Sequence, residues 1–182
     1  MIKNLLKSKH QISIFNRTIS KARKLKKYGA YLSYKIDELV KDKEIIITML
    51  TDDKAVNNII RSKTFLKNVC KETTVIDMSS TKPSTALDNY KKLKKRGVYF
   101  LDAPVSGGTK GAESASLAIM VGGEKKIYKK NLKVLKMLGN PNYVGKSSSG
   151  QAAKLANQII VGITIGACLL YTSDAADDSW GV

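Results

Sequence analysis

The chain reads as short apolar blocks separated by longer, lysine-studded segments with helical spacing. Residues 44–49, EIIITM, are predicted as a strand around the apolar run Ile45-Ile46-Ile47, the pattern of a strand buried on both faces of a parallel sheet. Further strands are predicted over residues 11–15, 74–78, 98–102, 116–121 and 142–144. Between them the spacing predicts helices over residues 20–27, 53–61, 84–95 and 125–137, and a helical turn at Ile36–Val40. Gly29 and Gly97 stand just past two of these helices, where a left-handed residue closes the last turn. Residues 1–8 are helical in pattern, and a long helix starts at Gly150. No internal repeat is visible. Strands and helices alternating through short connections predict an α/β fold with a doubly wound, mainly parallel sheet.

Two segments carry chemistry. Residues 100–123, FLDAPVSGGTKGAESASLAIMVGG, are expected to run from a strand through a glycine-rich turn into a second strand. Residues 150–157, GQAAKLAN, place Lys154 and Asn157 three apart, on one face of a helix. Ser106, Gly107 and Gly108 can turn successive N–H groups toward an oxyanion, because glycine reaches backbone angles that other residues avoid. Lys154 sits on a mostly apolar segment, where partial desolvation lowers its pKa toward the range of a proton-transfer group. A doubly wound domain opens with a strand, a glycine-rich turn and a helix that receives a pyrophosphate. This chain opens in a helical segment with no Gly-x-Gly-x-x-Gly before it, so it is expected to have lost its first strand.

Charge alters this picture little. The formal net charge is +17, but the cations are scattered and almost all lysine, and arginine forks with interleaved aromatics are missing. Nucleic acid is therefore not expected as a partner. Cys70 and Cys168 are far apart and without histidine clusters, which argues against a disulfide framework or a zinc site and for a reducing cytoplasm. The N-terminus is too short and polar for a secretory signal. The longest apolar run, residues 159–170, falls below the ~18 residues of a membrane span, so no membrane is expected.

Four segments resemble the 3-hydroxyisobutyrate dehydrogenase family of β-hydroxyacid dehydrogenases, across residues 1–167. They are Met1-Ile-Lys-Asn-Leu-Leu-Lys with Ile14-Phe-Asn-Arg-Thr, Ile76-Asp-Met-Ser-Ser-Thr-Lys-Pro83, Asp102-Ala-Pro-Val-Ser-Gly-Gly108 and Gly150-Gln-Ala-Ala-Lys-Leu-Ala-Asn157. The resemblance implies a Rossmann-type cofactor domain over residues 1–148 and, over 149–167, the start of a helix into a second, helical domain. It implies hydride transfer between a nicotinamide cofactor and a small hydroxyacid or semialdehyde substrate, with Lys154 as acid/base and no metal. Ser106, Gly107, Gly108 and Asn157 would bind the substrate, and Met49, Leu50, Thr51 and Ser80 would lie beside the cofactor. Asn16, Arg17 and Thr18 follow the first predicted strand of this chain, where NAD enzymes carry an acid for the ribose. No acid stands there, and Arg17 with Thr18 suits a 2′-phosphate, so NADP is expected, with NAD as the alternative.

The same family includes NADPH-dependent glyoxylate, succinic-semialdehyde and tartronate-semialdehyde reductases, which remain alternatives. A non-catalytic, family-related nucleic-acid or chromatin module is the rival of another class. Ala115-Ser116 and Gln158 depart from the family pattern, and His10 is assigned a structural role. The resemblance stops at Ala167. The remaining 15 residues contain no lysine, carry Asp174, Asp177 and Asp178, and resemble the translation of a sequencing adapter, so residues 168–182 are expected to be non-biological. The fragment is expected to be poorly soluble and inactive as written, and the full-length protein is expected to form a cytoplasmic homo-oligomer. A transit peptide upstream of Met1 would send it to mitochondria instead.

Overall fold

The computed structural model describes residues 1–8 and 10–177, with side chains as far as residue 171. After Met1 the chain forms α1 (Ile2–Leu6), β1 (Ser13–Ile14), α2 (Ile19–Lys26), β2 (Tyr31–Leu32) and α3 (Ile36–Val40). It continues through β3 (Ile45–Thr48), α4 (Asp53–Ile60), α5 (Lys63–Asn68), β4 (Thr74–Asp77), α6 (Pro83–Lys94) and β5 (Tyr99–Asp102). The last elements are β6 (Val105–Ser106), α7 (Gly108–Ser114), β7 (Leu117–Gly123), α8 (Lys125–Lys136), β8 (Gly139–Gly145) and α9 (Ser149–Asp177).

The expected parallel α/β architecture is present, but the strands form two hydrogen-bonded sheets. β1 and β2 pair in parallel by themselves. The six-stranded sheet runs β3-β4-β5-β7-β6, with β8 on β7. β3, β4 and β5 are parallel, whereas β7 is antiparallel to β5 and β6 and parallel to β8. Alternating side chains on the central strands supply two cores, as a sheet covered on both faces requires. Val75 and Phe100 pack with Val56, Ile60, Phe65 and Leu93 on one face. Ile76 and Leu101 pack with Leu117, Ile119, Leu135 and Leu138 on the other. Each such side chain contributes roughly 1.5–3 kcal/mol by leaving water.

Four expectations are corrected. The strand predicted over residues 11–15 shrinks to Ser13–Ile14, because it pairs on one side only, with the two residues of β2. Residues 63–68 and 108–114, expected as connections, are helices α5 and α7. The Ser62 hydroxyl caps α5 by accepting from Phe65 N–H, and Ala115 ends α7 in the left-handed region at φ 57°. The short strand predicted over 142–144 begins at Gly139, since pairing with β7 overrides the turn character of Asn140-Pro141-Asn142. Finally, α9 over Ser149–Tyr171 is long and apolar enough to cross a membrane by length and composition, although the apolar run inside it is short. Its first turns dock on β5, β7 and β8, and Leu155, Ile159, Ile163 and Leu169 are exposed further on. Of the tail expected from Cys168, residues 178–182 lie outside the described residues.

Candidate active site

The site forms where the carboxyl ends of β3, β4 and β5 meet the first turns of α9, the usual ligand-binding edge of a parallel sheet. A helix start leaves its first N–H groups without intrahelical partners. Here a carboxylate from another element receives them. Ser148 N–H donates to Asp102 Oδ1 at 2.8 Å and Gln151 N–H donates to Oδ2 at 3.0 Å. Burial pushes the Asp102 carboxyl up to about 6, against the lowering effect of those N–H groups. Ser148 itself sits at φ 79°, the left-handed bend that turns the chain into the helix.

Gly150 lets the helix approach. A Cβ there would lie 2.5 Å from the carbonyl oxygens of both Asp102 and Met120. Gly150→Ala is therefore expected to destabilise the fold by at least the roughly 1–3 kcal/mol of an overpacked core, read as a lower urea midpoint. An unchanged midpoint would show that α9 is not pinned there.

Gln151, which is fully buried, reaches the turn after β4. Its Oε1 accepts from Thr81 N–H at 3.0 Å and its Nε2 donates to the Ser79 carbonyl at 2.8 Å. Ser79 Oγ in turn accepts from Leu50 N–H at 2.9 Å. Asp77, also fully buried, accepts at Oδ1 from Thr48 Oγ1 at 2.8 Å and from Ser79 N–H at 3.1 Å. Burial holds the Asp77 carboxyl above its ordinary range, with the Ser79 and Thr48 bonds opposing that shift.

Two adjoining cavities open on this scaffold, and Lys154 and Gln158 line both. Their i, i+4 spacing puts them on one helix face. The smaller cavity, about 250 Å³, is bounded by Asp53, Gln151 and the turn from Ser80 to Pro83. The larger, about 520 Å³, is bounded by Met49, by Val105 to Thr109 and by Ala112 and Leu117. Gly107 at φ 129° and Gly108 at φ 61° take backbone angles that favour glycine. Burial lowers the Lys154 pKa from its ordinary 10.5, the direction a proton-transfer group needs.

The structure thus brings Lys154, Ser106, Gly107, Gly108, Met49 and Ser80 to one pair of cavities. The other predicted residues stand elsewhere. Leu50 acts through its backbone, and the exposed Thr51 donates to Asp52 Oδ2. Asn157 lines neither cavity, and its Nδ2 is buried with no hydrogen-bond partner among the described residues. Asn16, Arg17 and Thr18 are exposed after β1, in the separate small sheet. Asn16 Oδ1 accepts from Thr18 N–H at 2.8 Å, and Arg17 has no ion-pair partner among the described residues. An acid-free strand end with an unpaired guanidinium suits a phosphorylated ribose. Sequence reasoning missed the parts of Asp102 and Gln151, whose partners lie tens of residues away in the chain, and the place of Gln158 in the site.

Residues 1–157 match the family model of the NAD binding domain of 6-phosphogluconate dehydrogenase. The chain is 36% identical over 166 residues to the mitochondrial 3-hydroxyisobutyrate dehydrogenase of Drosophila melanogaster, covering 91% of this chain and 51% of that protein. It is 31% identical over 169 residues to glyoxylate/succinic semialdehyde reductase 1 of Arabidopsis thaliana, covering 92% and 58%. The solved 3-hydroxyisobutyrate dehydrogenase of Mycobacterium tuberculosis, with L-serine, superposes with a TM-score of 0.88 at 28% identity, covering 96% and 60%. The chain spans about half the length of the curated relatives it matches. By its sequence and its fold, this chain belongs to the family of the NAD binding domain of 6-phosphogluconate dehydrogenase.

Proposed function

We propose that this chain is the cofactor-binding part of an NAD(P)-dependent oxidoreductase that interconverts a small β-hydroxyacid, of the 3-hydroxyisobutyrate kind, with its semialdehyde. The observation that carries this reading is Lys154, a partly desolvated lysine shared by both cavities. The smaller cavity, at the Ser80 turn, takes the nicotinamide; the larger takes the substrate. When bound, the nicotinamide supplies the hydride acceptor for oxidation and the donor for reduction. In oxidation, neutral Lys154 takes the substrate hydroxyl proton as the carbinol hydrogen leaves with its bonding electron pair; in reduction, charged Lys154 returns that proton to the oxygen as the carbon regains the hydride. The turn of Ser106, Gly107 and Gly108 holds the substrate carboxylate: Gly107 and Gly108 offer the free N–H groups at the start of α7, and Ser106, the last residue of β6, lines the same cavity beside them.

Residues 1–148 form the cofactor unit and residues 149–167 lead into a second, helical unit. The exposed apolar side chains of α9 are covered by that second unit in a homo-oligomeric, cytoplasmic protein. Arg17 favours NADP and, with it, the semialdehyde-reductase reading. In the full-length protein carrying this chain, Arg17→Ala is expected to raise the KM for NADPH about tenfold and to leave that for NADH within about twofold, as the loss of one charge-assisted bond of ~1.5 kcal/mol predicts. Equal effects on both cofactors would refute the assignment of Arg17. Cofactor-linked turnover of a panel of small hydroxyacids and semialdehydes tests the function itself, and no turnover with either cofactor would refute it.

A further inference from the structure

The half-buried Lys154 and the Ser80 turn face one cavity although they belong to elements 70 residues apart in sequence, and one side chain joins them. Gln151 lies one helical turn before Lys154 and is 1% exposed. Its amide makes two bonds to the turn, donating to the Ser79 carbonyl and accepting from Thr81 N–H, on either side of Ser80. The backbone N–H of the same residue is held by Asp102, so Gln151 is fixed at both ends. No other side chain of α9 bonds that turn among the described residues.

We propose that Gln151 is a positioning residue for the reaction: its amide bolts the 79–81 turn to the helix that carries Lys154, fixing the nicotinamide side of the cavity against the acid/base. This inference rests on the functional reading above. Hydride transfer is sensitive to misplacement of the reacting groups by about 1 Å, worth on the order of 10²-fold in rate. Releasing the bolt should therefore act on kcat. Gln cannot be replaced by a shorter amide without losing the reach, and an apolar isostere leaves a buried N–H and C=O unpaired.

The test uses the full-length protein with Gln151→Met, which keeps the side-chain volume. Asn131→Leu serves as a stability control. Asn131 is buried on α8, bonds to Thr74 at the opposite end of β4, and belongs to no part of the site. Gln151→Met is expected to lower kcat by about 10–100-fold and to speed amide exchange at Thr81 in the protein without ligands. Asn131→Leu is expected to lower the melting temperature while leaving kcat within about twofold. Faster Thr81 exchange with kcat unchanged would make Gln151 structural only and overturn the proposal while the functional reading stands. Unchanged Thr81 exchange would show that the bolt does not hold the turn, with the same result. A wild-type protein that turns over no hydroxyacid or semialdehyde would overturn the functional reading, and the proposal with it.

Discussion

Replacing Lys154 with methionine is expected to lower kcat by about 10²–10⁴-fold, the usual contribution of a positioned acid/base, or roughly 3–5 kcal/mol of barrier. Methionine keeps the length and apolar stem of the side chain, so the cavities it lines keep their shape and cofactor KM should move little. The pH dependence follows from the direction of the shift. Burial lowers the Lys154 pKa, so the neutral amine becomes populated at lower pH than for a free lysine. Oxidation needs the neutral form, and its rate should climb with pH through a limb below the ordinary 10.5. Reduction needs the charged form, and its rate should fall through the same limb. Lys154→Met should abolish the limb in both directions. A variant that retains both its rate and the limb would remove Lys154 from the chemistry.

That lysine was legible in sequence through its motif, not through its own character, since it is one of many lysines in a strongly basic chain. The central strands were legible for a simple reason. Val75-Ile76 and Phe100-Leu101 are buried on alternate faces, which yields the continuous apolar blocks that mark parallel sheets. Elements held by tertiary context were not legible. α7 contains Gly108 and Gly111, poor helix formers that a local reading assigns to a turn, and its shape depends on left-handed Ala115 at its end. β8 begins Gly139-Asn140-Pro141-Asn142, a turn-like run that becomes a strand only because β7 offers a parallel edge. Within the site, Asp102 and Gln151 sit in recognisable motifs, yet their work is to bond backbone groups brought close by folding. No spacing in the sequence encodes that.

The second large effect concerns Asp102. Its folded-state carboxyl, at about 6, lies above the ordinary 3.8, because burial disfavours the charge more than the α9 N–H groups favour it. The folded state therefore binds this proton more tightly than the unfolded chain. The resulting contribution is fully present below the ordinary value and is lost as pH rises through about 6. From the shift of about two units, the loss amounts to roughly 3 kcal/mol. Asp77 shifts in the same direction but is common to the proteins compared here, so it cancels. Measured by urea unfolding, the stability of wild type minus that of Asp102→Asn should fall by roughly 2 kcal/mol between about pH 4 and pH 7, the rest of the loss lying below pH 4. Parallel pH profiles would show that Asp102 is not the buried, titrating anchor of α9. The same variant places an NH2 group against an N–H of Ser148 or Gln151, so α9 loses one of its two side-chain bonds to β5.

The most direct test of the account is isotopic. The full-length protein is incubated with oxidised cofactor and small hydroxyacids deuterated at the carbinol carbon, 3-hydroxyisobutyrate first, and the reduced cofactor is examined by NMR. Deuterium is expected on the nicotinamide ring, transferred by the wild-type protein and at least 10²-fold more slowly by Lys154→Met. Reduced cofactor without the label, or label transfer at an equal rate by the variant, would contradict it.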